Sequence, residues 1–161
     1  NNILAIMFDM NLLWENYVYY ILKRAISADY SIKPQRKKHF WKPENGNVVN
    51  LQPDIVIERK IDGNSIVIDT KWKYQSDVSI QDLRQMYAYG KYFNSVQSYL
   101  VYPDKINDKK NIDIKSGKFL GDKDVDDHEA ATCGLLFIDI LLEGKRLNRE
   151  IGKEIFKVLI P

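Results

Sequence analysis

Leu51-Gln52-Pro53-Asp54-Ile55-Val56-Ile57-Glu58 and Ser65-Ile66-Val67-Ile68-Asp69-Thr70-Lys71 are the two runs on which the fold turns. Each holds an unbroken β-branched stretch, the pattern of a central strand covered on both faces. Between them Ile61-Asp62-Gly63-Asn64 carries the Asp-Gly pair of a tight hairpin. A turn centred on Asp62-Gly63 sets residue 54 opposite residue 71. Opposed residues point to one face and side chains alternate with period two, so Asp54, Asp69 and Lys71 are expected to project together, at the hairpin end away from its turn. A slip of one residue would scatter them.

Outward from the hairpin, a helix is expected over 9–26, with Leu13, Tyr17, Tyr20, Ile21 and Arg24 at helical spacing and Asp9 or Asn11 as cap. Short strands follow at Tyr30–Pro34, near 39–41 and over 48–51. After the hairpin, Ser79 with Asp82 forms a capping box for a helix over 79–93, whose inner stripe reads Leu83, Met86, Tyr87 and Gly90. A strand over 98–102 ends at Pro103. Residues 104–130 are polar, with one edge strand at 111–114; a buried strand over 135–141 and a terminal helix over 149–159 close the chain. The order predicts a single α/β domain over residues 1–161, with a mixed central sheet flanked by helices.

Composition narrows the function classes. With 45% hydrophobic and 29% charged residues the chain is a globular domain, not a disordered one. No apolar run approaches the roughly 18–20 residues that cross a bilayer, so no membrane role is expected. The one cysteine, Cys133, forms no internal disulfide, which fits a reducing cytoplasm. One Cys with two distant histidines, His39 and His128, leaves no structural zinc site, so any catalytic metal is held by oxygen, as magnesium or manganese is. Gly117-Lys118 and Gly144-Lys145 lack the rest of a phosphate-binding loop. Asp122-Lys123-Asp124-Val125-Asp126 begins like a calcium loop, but Asp127 and Cys133 stand where it needs glycine and glutamate. The net charge of +2 names no partner. Its local distribution says more: Lys33, Arg36, Lys37, Lys38 and Lys42 interleave with His39, Phe40 and Trp41, either to contact a nucleic-acid strand or as a solvated segment with anchoring aromatics.

Two carboxylates and an ammonium at the end of apolar strands need a reason. Carboxylates a few ångströms apart repel, and burying them without a cation is costly. A divalent metal on Asp54 and Asp69 resolves this and suits phosphodiester hydrolysis, with Lys71 orienting or deprotonating a water or neutralising charge on the phosphorane. The competing explanation is a salt bridge from Lys71 to one aspartate.

Pro53-Asp54 followed by Asp69-Thr70-Lys71 resembles the motif of the PD-(D/E)XK nuclease superfamily, and Gln85-Met86-Tyr87-Ala88-Tyr89 resembles the Q-x-x-x-Y motif of its RecB-like branch. Gln85 and Tyr89, four apart, share a helix face, to touch DNA or support the site, or simply as the polar edge of an amphipathic helix. Phe8-Asp9-Met10-Asn11-Leu12-Leu13-Trp14-Glu15, Ile68-Asp69-Thr70-Lys71-Trp72-Lys73 and Leu100-Val101-Tyr102-Pro103 add a similarity, over roughly 6–103, to the nuclease domain of McrC proteins. Trp14 stands where that family commonly has Phe. The resemblance implies a magnesium- or manganese-dependent endonuclease with Asp54, Asp69 and Lys71 catalytic, and Glu15, Asp54, Asp69 and Thr70 holding the metal. Gln85, Tyr89, Arg36, Lys37 and Lys38 are then expected to bind DNA or support the site. It further implies a partner, an McrB-like AAA+ GTPase recognising methylated double-stranded DNA, joined through an N-terminal region. The start at Asn1-Asn2 is read as that of a C-terminal fragment. The alternatives are a repair or transposon-end nuclease of the same superfamily, or a DNA-binding module that keeps the fold without cutting.

Overall fold

The two β-branched runs form adjacent strands of one sheet, β4 (Ile55–Arg59) and β5 (Ser65–Thr70), in a computed structural model that describes residues 8–73, 78–95, 97–104, 112–120, 131–142 and 146–160. Around them lie α1 (Met10–Ala25), β1 (Tyr30–Pro34), β2 (Lys38–Trp41), β3 (Val49–Leu51), α2 (Ile80–Phe93), β6 (Gln97–Pro103), β7 (Ile112–Lys118), β8 (Thr132–Ile138), β9 (Leu141–Leu142), β10 (Arg146–Leu147) and α3 (Ile151–Leu159). The six-stranded sheet runs β1-β4-β5-β6-β8-β7. Its β5-β6-β8 centre is parallel, and its other pairings are antiparallel. Two small hairpins, β2-β3 and β9-β10, stand outside it.

Alternation along the central strands builds two cores. Ile55, Ile57, Ile68, Val101 and Leu136 pack with Trp14, Val18 and Leu22 of α1 and Ile151, Ile155 and Leu159 of α3. Val56, Val67, Leu100 and Tyr102 pack with Met86, Tyr89 and Phe93 of α2 on the opposite face. Both faces are covered, as the β-branched runs require.

Several expectations shift. The register sets Ile55 opposite Ile68, two residues from the predicted pairing of 54 with 71. Residues 60–63 make a four-residue loop, closed by the Gly63 N–H donating to Arg59 O at 2.9 Å, with Gly63 at φ +71. The turn centre therefore falls one residue earlier than Asp62-Gly63. Because the offset is even, side-chain faces are unchanged. In α1 the inward stripe is Trp14, Val18 and Leu22, while Leu13, Tyr20 and Arg24 are exposed. The phase is set by Trp14, whose buried Nε1–H donates to Val101 O at 3.1 Å. In α2 Tyr89 and Phe93 are buried and Tyr87 is exposed. β7 runs four residues beyond its predicted end, and β8 begins three residues before its own. The false calcium loop at 122–127 and Gly144-Lys145 lie outside the described residues. No described helix is long and apolar enough to cross a membrane.

Helices α1 and α3 close tightly at one glycine. A Cβ on Gly152 would stand 2.4 Å from the backbone oxygen of Ile21. Alanine normally favours a helix over glycine, yet here one helix must move off the other. Gly152→Ala is therefore expected to destabilise the chain by about 1–3 kcal/mol, read as a lowered urea midpoint; an unchanged midpoint would show that the contact gives way freely.

Candidate active site

Continuing the β4-β5 register by one step places Asp54 opposite Asp69, on the α2 face and at the carboxyl end of β5. Ligands of open α/β sheets gather outside the carboxyl ends of parallel strands. Asp54 is held by Thr70, whose N–H and Oγ1–H both donate to its Oδ2 at 2.7 Å. Asp69 is 2% exposed. Its Oδ2 is buried, makes an ion pair with Lys71 Nζ, and has no aligned hydrogen bond. Burial, and then the charge of Asp54, push the Asp69 carboxyl up to about 6 against the pull of Lys71. Burial opposes the charge on Lys71, but Asp69, Asp82 and Asp54 outweigh it and hold its pKa above the ordinary lysine value. The lysine backbone is fixed as well, its N–H donating to Val101 O at 2.9 Å, the same oxygen that anchors Trp14.

Helix α2 supplies the wall. Lys71 Nζ donates to Gln85 Oε1 at 3.3 Å, Gln85 Nε2 to the Tyr89 hydroxyl at 2.7 Å, and that hydroxyl to Gln52 O at 3.1 Å. Gln85 and Tyr89 thus link the lysine to the segment that carries Asp54. Burial first, with Asp69 and Asp54 adding to it, pushes the Tyr89 hydroxyl up to about 12, so it stays a donor. Asp82 faces Lys71 at 4.0 Å and pairs with Lys73 at 2.7 Å. It was not singled out for chemistry, although Asp82, Gln85 and Tyr89 at i, i+3 and i+7 mark one helix stripe.

The remaining candidates are dispersed. Glu15, on α1, accepts from Gln35 Nε2 at 2.8 Å, and burial raises its pKa with a smaller contribution from Asp54. Among the described residues no three acidic, histidine or cysteine side chains gather as a metal-ligand group. The donors brought together are Asp54 and Asp69, without Glu15. That pair fits magnesium, which takes one or two carboxylates and completes its shell with water and substrate phosphate. The basic run divides. Arg36 pairs with Glu58 at 2.6 Å, and Lys38 donates to Tyr92 O at 2.5 Å and lies over the Phe93 ring, while Lys37 is exposed. Gln35 is the other residue sequence reasoning missed; nothing in its neighbourhood signals that it would adopt φ +47 and bridge Glu15 to the Asp54 backbone.

Fold and site define a mixed α/β domain with a lysine-flanked carboxylate pair at the carboxyl end of its central strands. The family model of the McrBC 5-methylcytosine restriction system component matches residues 1–103, a span that ends with β6 and contains every candidate residue above. The chain belongs to this family of restriction-system components. None of the curated proteins matches it. A crystal structure described as protein of unknown function AF1548 is similar over 55% of this chain and 45% of its own, at 18% identity and a TM-score of 0.37, a likeness too slight to bear on fold or activity.

Proposed function

We propose that this chain is a metal-dependent endonuclease domain of the PD-(D/E)XK class, the DNA-cleaving part of a restriction complex driven by an McrB-like AAA+ GTPase on methylated double-stranded DNA. The observation that carries the reading is the Asp69 carboxylate, buried opposite Asp54 at the mouth of the sheet with one oxygen lacking an aligned hydrogen bond. Such an arrangement costs stability, and groups perturbed in this way cluster at functional sites. Asp54 and Asp69 would hold magnesium or manganese; Thr70, and Glu15 on release from its bond to Gln35, are proposed to complete the protein's share of the shell. The metal, when bound, supplies Lewis-acid polarisation of the scissile phosphate and a water of lowered pKa.

The other roles belong to the side chains. Lys71, an ammonium, is no ligand; with its pKa raised it serves best as a fixed positive charge beside the phosphate oxygens. Asp82 and Gln85 keep that charge aimed when Asp69 is engaged elsewhere. Thr70 orients the Asp54 carboxylate through two donated hydrogen bonds.

The test mixes a longer protein that includes the N-terminal region, the GTPase partner, GTP and magnesium with methylated or unmethylated plasmid. Cutting is expected on methylated plasmid and only with the partner, and this chain alone should cut little. Efficient cutting of unmethylated plasmid by the chain alone would contradict the gated reading and favour an autonomous nuclease.

A further inference from the structure

The site does not account for the β2-β3 hairpin. Pro34 of β1 pairs with Ile55 of β4, so residues 35–54 leave the sheet and return at one point, and the return is Asp54 itself. Both roots are tied to the site. The Gln35 N–H donates to Asp54 O at 2.8 Å, its side chain bonds Glu15, and the Tyr89 hydroxyl donates to Gln52 O at 3.1 Å. The body is fixed along α2, where Lys38 reaches Tyr92 O and Phe40 meets the Tyr92 ring edge-on at 5.3 Å between centroids. What the hairpin then presents to solvent is an indole, Trp41 at 59% exposure, with Lys37 and Lys42 exposed on the same short segment, one at each end of β2. Glu44 is the one carboxylate between Lys33 and Pro53. A tethered, cationic and aromatic surface of this kind matches a nucleic-acid strand, with rings for bases and ammonium groups for phosphates.

We infer that the β2-β3 hairpin is a strand-holding platform, on which Trp41 stacks against an unpaired base while Lys37 and Lys42 contact the adjoining phosphates. Its roots lead the held strand to Asp54; only this last step rests on the nuclease reading. Arg36 and Lys38, committed to Glu58 and to α2, keep the platform in place and do not read the strand.

Binding is measured without divalent metal, by fluorescence anisotropy of a labelled oligothymidylate and of a duplex of equal length. Trp41→Ala is expected to weaken single-strand binding by about 5- to 150-fold with an unchanged salt slope. Trp41→Phe should retain most of the affinity. Lys37→Ala and Lys42→Ala should each reduce the salt slope by roughly 0.7, with Lys153→Ala of α3 as the charge control. Single-strand affinity unaffected by Trp41→Ala would overturn the platform, as would an equal loss in Trp41→Phe accompanied by a lowered melting temperature. Because no cleavage is involved, the expected pattern supports the platform even if the chain proves unable to cut.

Discussion

Replacing Lys71 by alanine is expected to slow DNA cleavage by about 10²–10⁴-fold while the chain keeps its fold and its metal affinity. An ammonium is not a metal ligand, so removing it takes charge from the reacting phosphate and nothing from the donor set. Stability should change modestly, because Asp69, already raised to about 6, can take up a proton when its partner is gone. The alternative is that Lys71 exists to neutralise Asp69 in a structural ion pair. In that case the variant leaves a buried carboxylate unpaired, a loss of about 3–5 kcal/mol that would unfold a marginal domain. Single-turnover cleavage beside a circular-dichroism melt separates the two: lost cleavage with a preserved melt supports the catalytic role, and a collapsed melt supports the structural one.

Asp69→Asn should abolish cleavage and, without metal, make the domain more stable at pH 8. The carboxyl titrates near 3.8 when free and near 6 in the folded chain, so between those values the folded state binds the extra proton. Stability contributed by the neutral carboxyl is therefore present below about 3.8, falls as pH rises, and is gone above about 6. Asparagine keeps the neutral shape and removes the titration. The gain at pH 8 should be roughly 1–3 kcal/mol and should vanish near pH 4. Urea midpoints at the two pH values, in the presence of a chelator, measure it. A variant less stable at pH 8 would mean that the Lys71 pair outweighs the burial of Asp69.

The shared face of Asp54, Asp69 and Lys71 was legible in the sequence because period-two alternation survives an even shift in register. Asp54, Asp69 and Lys71 stayed on one face although the turn fell a residue earlier than Asp62-Gly63 suggested. Helix phase was less secure. Leu13 and Tyr20 looked like inward residues of α1, but hydropathy does not register that Trp14 can satisfy its N–H on Val101 O or that Gly152 lets α3 close over Ile21. The small β9-β10 hairpin carried no pattern beyond two residues per strand and went unforeseen. In the basic run, charge alone marked Arg36, Lys37 and Lys38 as equivalent. Their fates were decided by long-range partners, Glu58 for Arg36 and the end of α2 for Lys38, which no local pattern encodes. Glu15 lies in the first helix as expected, and the hydrogen bond it accepts from Gln35 is a long-range contact that no local pattern encodes.

The central claim, that Asp54 and Asp69 form a divalent-metal centre, is tested most directly by calorimetric titration of magnesium and manganese into this chain and into its Asp69→Ala variant. The wild-type chain should bind one ion weakly, with affinity falling as pH drops through about 6 and Asp69 takes up its proton. The variant should show no saturable heat. Equal binding by both proteins would contradict the account.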